Sequence, residues 1–367
     1  PTASNGVPVP GLVTAFREEM KAPEHAQYAH WGATSQDIID TGLMLRLRQA
    51  LALAEEDIRA IVTSLGQAAE EHAALPMAAR TYGQHATPTS WGAVLAQFGA
   101  PLMDALAGLD QVRESALWVS LSGASGTASA LGPKAAETRK GLAEALGLAD
   151  PGRSWHTDRT PILRIADWQG QAMAALAHMG QTLLGLSSSD SVEVSLGSAG
   201  ASSTMPQKQN PVGPSALMAL SHQFTGLRGA LQSAAIHQHQ RDGAAWFTEW
   251  MVIPQLSLSL AAALQHARRL SAEMAPRPVQ MHAALEENLG LVHAEALSFA
   301  LAELMPRPEA QAKAKALCME ALDKRIPLSR LARADYPDLP PSVFDPMKGM
   351  GLAEEEARAF AKRAAAL

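Results

Sequence analysis

The sequence predicts an all-α protein, a bundle of long helices with a small helical domain at its C-terminal end. Three observations carry that prediction. Apolar residues recur every three or four positions over very long stretches, the period that lays one apolar stripe along a helix. Alanine and leucine dominate a composition that is 47% hydrophobic, 18% charged and only 5% aromatic, which suits packed helices better than sheets. No run of alternating β-branched residues bounded by turn signals is found, so no strand is expected.

Residues 1–13 are rich in proline and glycine and read as an irregular lead-in, followed by a short amphipathic helix over 14–21. From Asp37 to about Ala73, the residues Leu47, Leu51, Ala54, Ile58, Ile61 and Leu65 mark the buried stripe of the first long helix. Pro76 and the polar run 80–88 interrupt it. Thr87-Pro88 then reads as a cap followed by a first-turn proline, opening a second long helix to about Ser120 with a kink expected at Pro101. Residues 122–133, rich in glycine and serine, form a loop, and 134–147 a further helix. Thr160-Pro161 repeats the start signal for a helix to about Leu186. The small, hydroxyl-rich residues of 197–211 build no core and read as a loop ending in Asn210-Pro211, again a cap and a proline. Helices over 212–238 and 254–270 follow. Beyond Pro276 and Pro278 the helices shorten (279–287, 294–304, 307–323 and 353–366), with proline-rich turns at 327 and 337–346. The expected division is the remainder of an N-terminal helical domain over 1–32, a central long-helix domain over 33–274 and a C-terminal helical domain over 275–367.

A chain of 367 residues has room for two or three domains with a substantial core. Its formal net charge of −6, with no Lys/Arg block, argues against nucleic acid or a membrane surface as partner. No apolar run approaches the roughly 18–20 residues that cross a bilayer, and no signal peptide is recognisable. The single cysteine, Cys318, excludes an intrachain disulfide and suits a reducing cytosol, so a cytoplasmic location is expected. It falls in an Ala/Leu helical pattern and reads as buried.

Polar segments that cap long helices are where a bundle can place chemistry. Three stand out: His30-Trp31-Gly32-Ala33-Thr34-Ser35-Gln36-Asp37, Arg80-Thr81-Tyr82-Gly83-Gln84-His85-Ala86-Thr87-Pro88, and Ser202-Ser203-Thr204-Met205-Pro206-Gln207-Lys208-Gln209-Asn210-Pro211. The third would bring two serines, a lysine and an asparagine near a helix N-terminus, whose free N–H groups attract anions. Each has a plain alternative: Thr34 or Ser35 as an ordinary cap, residues 202–211 as a solvated connector. His156 and Arg159 belong either to a substrate site or to a capping turn with solvated charges. His237 and His239, two apart, point to different faces of a helix, so no metal pair is expected. Trp246 and Trp250, four apart, suit core packing.

Residues 202–211 resemble the signature loop of the fumarase/aspartase superfamily, S-S-x-M-P-x-K-x-N-P, at every fixed position. The resemblance implies a homotetramer around a fumarase/aspartase-like helical bundle, with each active site built from three segments of three different subunits. It implies addition or elimination beta to a carboxylate, and further helices ahead of residue 1. By position, Ser202 matches the family's catalytic serine, with Ser203 beside it, while Lys208 and Asn210 match its contacts to substrate carboxylate. The first segment is similar to H-x-G-x-T-S-x-D of adenylosuccinate lyases, where the residues matching Thr34 and Ser35 hold a carboxylate and the one matching His30 lies in the site. In the second segment the family reads R-T-H-x-Q-x-A-x-P. Arg80, Thr81, Gln84 and Pro88 match, but Tyr82 replaces the histidine that serves many of these lyases in the leaving-group acid, and His85 stands three residues on.

A leaving amine or hydroxide must be protonated, so a positioned acid is worth ~10²–10⁴-fold. A carboxylate leaves as a stable anion and needs none, so Tyr82 fits the opening or closing of a lactone. Residues 237–250 resemble the E-H-E-R-x-x-G-A-W-x-x-E-W segment of the 3-carboxy-cis,cis-muconate cycloisomerase family, and residues 5–13 and 290–296 resemble it as well. That resemblance implies a reaction of the protocatechuate branch of the β-ketoadipate pathway. One carboxylate of the small tricarboxylate 3-carboxy-cis,cis-muconate adds to the distal double bond, giving 4-carboxymuconolactone, and no metal or organic cofactor is required. Thr34, Ser35, Lys208, Asn210 and Arg80 or Arg241 are the candidates for holding carboxylates, and Ser202 or His85 for moving the proton. An adenylosuccinate lyase-like elimination and a non-catalytic structural role are the alternatives, and a sulfonated muconate stays open as substrate.

Overall fold

The computed structural model describes residues 2–197, 200, 201, 205 and 208–367. Among them five long helices dominate: Ser35–Glu71, Trp91–Ala116, Thr160–Leu186, Val212–Ala234 and Gly243–Glu273. The stripe read from the first of these is real, since Leu47, Leu51, Ala54, Ile58, Ile61 and Leu65 are all buried. The chain divides into two compact units, one made of Pro1–Asp57, Asp104–Ala174 and Ala219–Leu264, the other of Ile58–Met103, Ala175–Met218 and Gln265–Leu367.

In the first unit, Met44, Leu51, Leu109, Ile165 and Trp168 are buried. Trp168 donates its indole N–H to the Ala105 carbonyl at 2.8 Å, so its polar edge is met inside the core. In the second unit, two glycines let helices approach closely. A Cβ at Gly92 would stand 2.6 Å from the Ala69 carbonyl oxygen, and one at Gly99 would stand 2.1 Å from Cζ of Phe360. Phe360 lies on the helix Ala353–Ala364 and is buried. The C-terminal helices Ala294–Ala302, Arg307–Lys324 and Leu328–Asp335 gather a core of their own around Leu297, Leu301, Leu317 and Leu328. Cys318 is half-buried against it.

The structure departs from the sequence reading in several places, each with a local cause. Pro76–Thr81 (β1) and Gln84–Ser90 (β2) form an antiparallel hairpin, with Pro76 opposite Ser90 and Thr81 opposite Gln84. Tyr82 and Gly83 make its turn, both left-handed, with φ of 52° and 75°, the geometry that matches the twist of the flanking strands. These strands carry no alternation and the turn carries a tyrosine, so pattern reading had no signal to find. Thr87-Pro88 therefore starts no helix: Pro88 lies in β2 opposite Ala78. The cap is Ser90, whose Oγ accepts from the Ala93 N–H at 3.1 Å.

Short strands also form at Val194–Ser195 (β3), Gly200–Ala201 (β4), Gln209–Asn210 (β5) and Ala275–Pro276 (β6), with β3 pairing β6 and β4 pairing β5. Asn210 is thus held in a ladder, and the first helical carbonyl acceptor is that of Pro211, from the Ser215 N–H at 3.0 Å. Near the N-terminus the helix expected over 14–21 covers Val9–Glu19, starting inside the expected lead-in because Pro10 fits its first turn. The helix expected from 254 begins at Gly243 and carries Pro254 inside it. Its cap is Asp242, whose carboxylate accepts from the Ala244 and Ala245 N–H groups at 2.9 and 3.1 Å.

The expectation that nothing approaches a membrane span also needs correction. By length and mean hydropathy, Trp91–Ala116 and Gly243–Glu273 are apolar enough to cross a bilayer. Each buries a good part of its apolar surface inside this chain, through Trp91, Leu95 and Phe98 in one and Trp246, Leu256 and Leu260 in the other.

The close approach at Gly99 is open to test. Gly99→Ala drives a Cβ into the Phe360 ring and should cost about 1–3 kcal/mol, the usual penalty for overpacking. Gly141, exposed on the helix Ala135–Leu146, meets nothing within 4 Å among the described residues. Gly141→Ala should therefore stabilise by roughly 0.5–1 kcal/mol. Thermal midpoints that moved the same way in both variants would contradict this packing.

Candidate active site

In the first unit the segment 30–37 folds around one carboxylate. Asp37 accepts from the Thr34 and Gly123 N–H groups through Oδ2, and from the Ser122 N–H and the Ser120 hydroxyl through Oδ1, all at 2.9 Å. A fifth donor is His156, whose Nε2 lies 2.8 Å from Oδ1. The bond back to Thr34 is a capping-box contact, an acidic side chain three residues into the helix meeting the backbone of the cap. Burial alone would raise the Asp37 pKa. The bonds from His156 and from the Thr34 and Gly123 amides outweigh it and hold the group below its ordinary 3.8. With Asp37 ionised, His156 Nε2 carries the proton, and its Nδ1 is buried without a partner among the described residues.

Arg241 braces the same segment. Its Nε donates to Gln36 Oε1 at 2.8 Å, and its Nη2 to Thr34 Oγ1 at 3.3 Å and to the Ala124 carbonyl at 3.1 Å. His30 stands in a left-handed conformation, φ 68°, with Nε2 buried and unpartnered among the described residues. Ser35 opens the long helix and is half-buried.

Arg159 lies deeper. It forks onto Glu249 at 2.8 and 2.7 Å and onto Asp40 at 2.8 and 3.2 Å, and its last N–H reaches the Trp155 carbonyl at 3.4 Å. All five of its donors are thus met inside the protein. Trp246 adds an indole N–H to Asp40 at 3.2 Å, and its ring packs edge-on against Trp250 at 4.6 Å between centroids. His237 Nε2 lies 3.9 Å from Glu249 Oε1. Burial raises the Glu249 pKa, but His237 and Arg159 outweigh it and hold the group below its ordinary 4.5. The guanidinium of Arg159 is held above its ordinary value by the Asp40 and Glu249 charges, against the effect of burial.

In the second unit the hairpin β1–β2 carries the other segment. Tyr82 at its turn is fully exposed, at 105%, and Thr81 and Gln84 are exposed beside it. His85 is half-buried, with Nδ1 unpartnered among the described residues. Arg80 pairs with Glu193, whose side chain is fully buried, and also donates to Ser191 Oγ at 3.2 Å. Further along, Lys208 and Asn210 line a cavity of about 650 Å³ together with Ser187, Ser188, Ser189 and Arg277. Two cations and no carboxylate among the described lining residues make that cavity fit for an anion. Ser202 and Ser203 lie outside the described residues.

The structure therefore brings Thr34, Ser35, His156, Arg159 and Arg241 into one unit, and Arg80, Thr81, Tyr82, Gln84, His85, Lys208 and Asn210 into the other. Sequence reasoning missed Asp37, Asp40, Glu249, Glu193 and Arg277 as site builders. Asp37 and Glu249 sat inside quoted motifs and could have been found as the anions that buried cations require. Glu193 and Arg277 gave no local signal.

Residues 11–226 match the lyase family. The chain is 36% identical to the 3-carboxy-cis,cis-muconate cycloisomerase of Pseudomonas aeruginosa, over 97% of this chain and 79% of that protein. It is also 36% identical to the Pseudomonas putida protein of the same name, over 82% of this chain and 72% of that one. The crystal structure of 3-carboxy-cis,cis-muconate lactonizing enzyme from Pseudomonas putida superposes with a TM-score of 0.91 at 32% identity, covering 99% of this chain and 84% of that one. The chain belongs to the lyase family. Within it, it groups with the 3-carboxy-cis,cis-muconate cycloisomerases.

The depressed carboxylates make acid stability a test of this site. A folded-state pKa below the unfolded one gives stability that is complete above about pH 4.5 and lost as pH falls through the folded values. Asp37→Asn should lower the thermal midpoint at pH 7 and flatten its fall below pH 4. Parallel midpoint-against-pH curves for the variant and the parent would contradict the assignment.

Proposed function

We propose that this chain is a cycloisomerase closing 3-carboxy-cis,cis-muconate to 4-carboxymuconolactone, in the protocatechuate branch of the β-ketoadipate pathway. We further propose that it acts in the cytoplasm as a homotetramer, with a small tricarboxylate as its partner and neither nucleic acid nor membrane involved. The observation that carries the reading is Tyr82, fully exposed at the hairpin turn, where related lyases hold an acid histidine. Relatives bearing the cycloisomerase name over most of the chain support it.

The chemistry asks little of that position. A carboxylate oxygen of the substrate forms the new C–O bond, the electron pair moves to the carbon beside another carboxylate, and that carbon takes a proton. The nucleophile is part of the substrate, so the protein gains most by fixing its geometry. Donors aimed at the carboxylate that receives the charge lower the barrier further. Lys208 and Asn210, with Thr34 and Ser35, are suited to hold carboxylates, and Ser202 or His85 delivers the proton. Arg159 has no donor left for a substrate and serves instead to neutralise Asp40 and Glu249. The exposed phenol of Tyr82 supports sites shared between subunits, since nothing among the described residues of the single chain covers it.

Loss of diene absorbance on mixing the protein with 3-carboxy-cis,cis-muconate tests the reading, with adenylosuccinate in parallel. The expected result is muconate turnover by a tetramer, lowered ~10²–10⁴-fold in either Ser202→Ala or His85→Gln, whichever removes the acid. Adenylosuccinate cleavage, or an active monomer in sedimentation, would overturn it.

A further inference from the structure

We infer that Arg80 is a positioning residue and not a substrate contact: it clamps the β1–β2 hairpin onto Glu193, at the root of the segment that carries Lys208 and Asn210. Its Nη2 donates to Glu193 Oε1 and, at 3.2 Å, to Ser191 Oγ, while its Nη1 reaches Glu193 Oε2 at 3.4 Å and the Ala78 carbonyl at 3.3 Å. Ser191 Oγ in turn donates to Glu193 Oε1 at 2.7 Å. The Glu193 side chain is 0% exposed and that of Arg80 25%. An Arg80 that swung away to meet a substrate carboxylate would leave a fully buried anion without its cation.

Glu193 is itself a fixed point. Its N–H donates to the Leu186 carbonyl at 2.8 Å, closing the end of the helix Thr160–Leu186, and its own carbonyl accepts from the Arg277 N–H at 2.8 Å. It immediately precedes β3. The hairpin is shaped to reach it. Pairing runs Ala78 to Pro88 but Arg80 to His85, with a register shift between Ala78 and Arg80, and such a bulge re-aims the side chain that follows. His85 stands opposite Arg80 in the ladder, and Arg80, His85 and Glu193 line one cavity of about 390 Å³. The clamp therefore sets where the strand bearing His85 stands relative to Glu193.

Arg80→Met, Glu193→Gln and the double variant test this by steady-state turnover of 3-carboxy-cis,cis-muconate and by hydrogen exchange of residues 76–90, with 212–234 as internal reference. The expected result is that each single change lowers kcat about tenfold or more with KM within about threefold, and that the double is no worse than the weaker single, as two ends of one contact require. Exchange across 76–90 should quicken in both singles. A raised KM with kcat kept in Arg80→Met, while Glu193→Gln changes nothing, would overturn the inference and return Arg80 to the substrate. So would unchanged exchange in both. Should Arg80→Met fail to fold, Arg80→Lys keeps the charge without the fork, and its far-UV helix signal and sedimentation report its integrity. It should show a partial fall in kcat at unchanged KM, and a raised KM alone would overturn the inference. The turnover arm rests on the muconate reading, whereas hydrogen exchange needs no substrate, so failure of that reading would silence the parent enzyme yet leave the exchange result standing.

Discussion

Burying charge inside a bundle rich in alanine and leucine costs several kcal/mol per ion unless protein groups replace the lost water. That constraint shapes the buried charged clusters of this chain. Asp37 is affordable at zero exposure of its side chain because five donors surround it. Arg159 is buried because two carboxylates and a carbonyl take all its protons, and Glu193 because Arg80 and Ser191 meet it. Each of these charges ties together segments far apart in sequence. Asp37 joins the start of a long helix to residues 120–123 and 156, and Arg159 joins Asp40 to Glu249. The same partners that satisfy the charges hold the polar loops in shape.

A consequence is that some charged residues in the motifs already have protein carboxylates as partners. Arg159 and Arg80 look like carboxylate binders in one dimension, yet their guanidiniums face protein carboxylates. Lys208 and Arg277 differ, since the cavity they line has no carboxylate among its described lining residues. This division between cations that hold the fold and cations that face open space follows from counting partners, which composition and spacing do not supply.

The long helices were legible because a stripe such as Leu47, Leu51, Ile58 and Leu65 repeats with the helical period and is buried. The hairpin was not. Its strands are short, half-exposed and without alternation, and its turn uses Tyr82 where the common signal is asparagine or aspartate before glycine. The caps read at Thr87 and Asn210 missed for one reason: a cap-and-proline pair is a local preference, and strand pairing at Pro88 and Asn210 overrode it. The motif residues were legible only as a set. Which of them face each other depends on long-range packing, as the Asp37–His156 pair does, and a linear pattern holds no record of it.

We propose that the polar breaks of the long helices make one carboxylate-binding site when copies of the chain assemble. A crystal structure of the assembled protein with 4-carboxymuconolactone bound tests it most directly. The account predicts lactone carboxylates held by Lys208 and Asn210 from one copy and by Thr34 and Ser35 from another, with Arg80 still on Glu193 and Arg159 still on Asp40 and Glu249. A lactone whose carboxylates meet none of these four residues, or one gripped by Arg159, would contradict it.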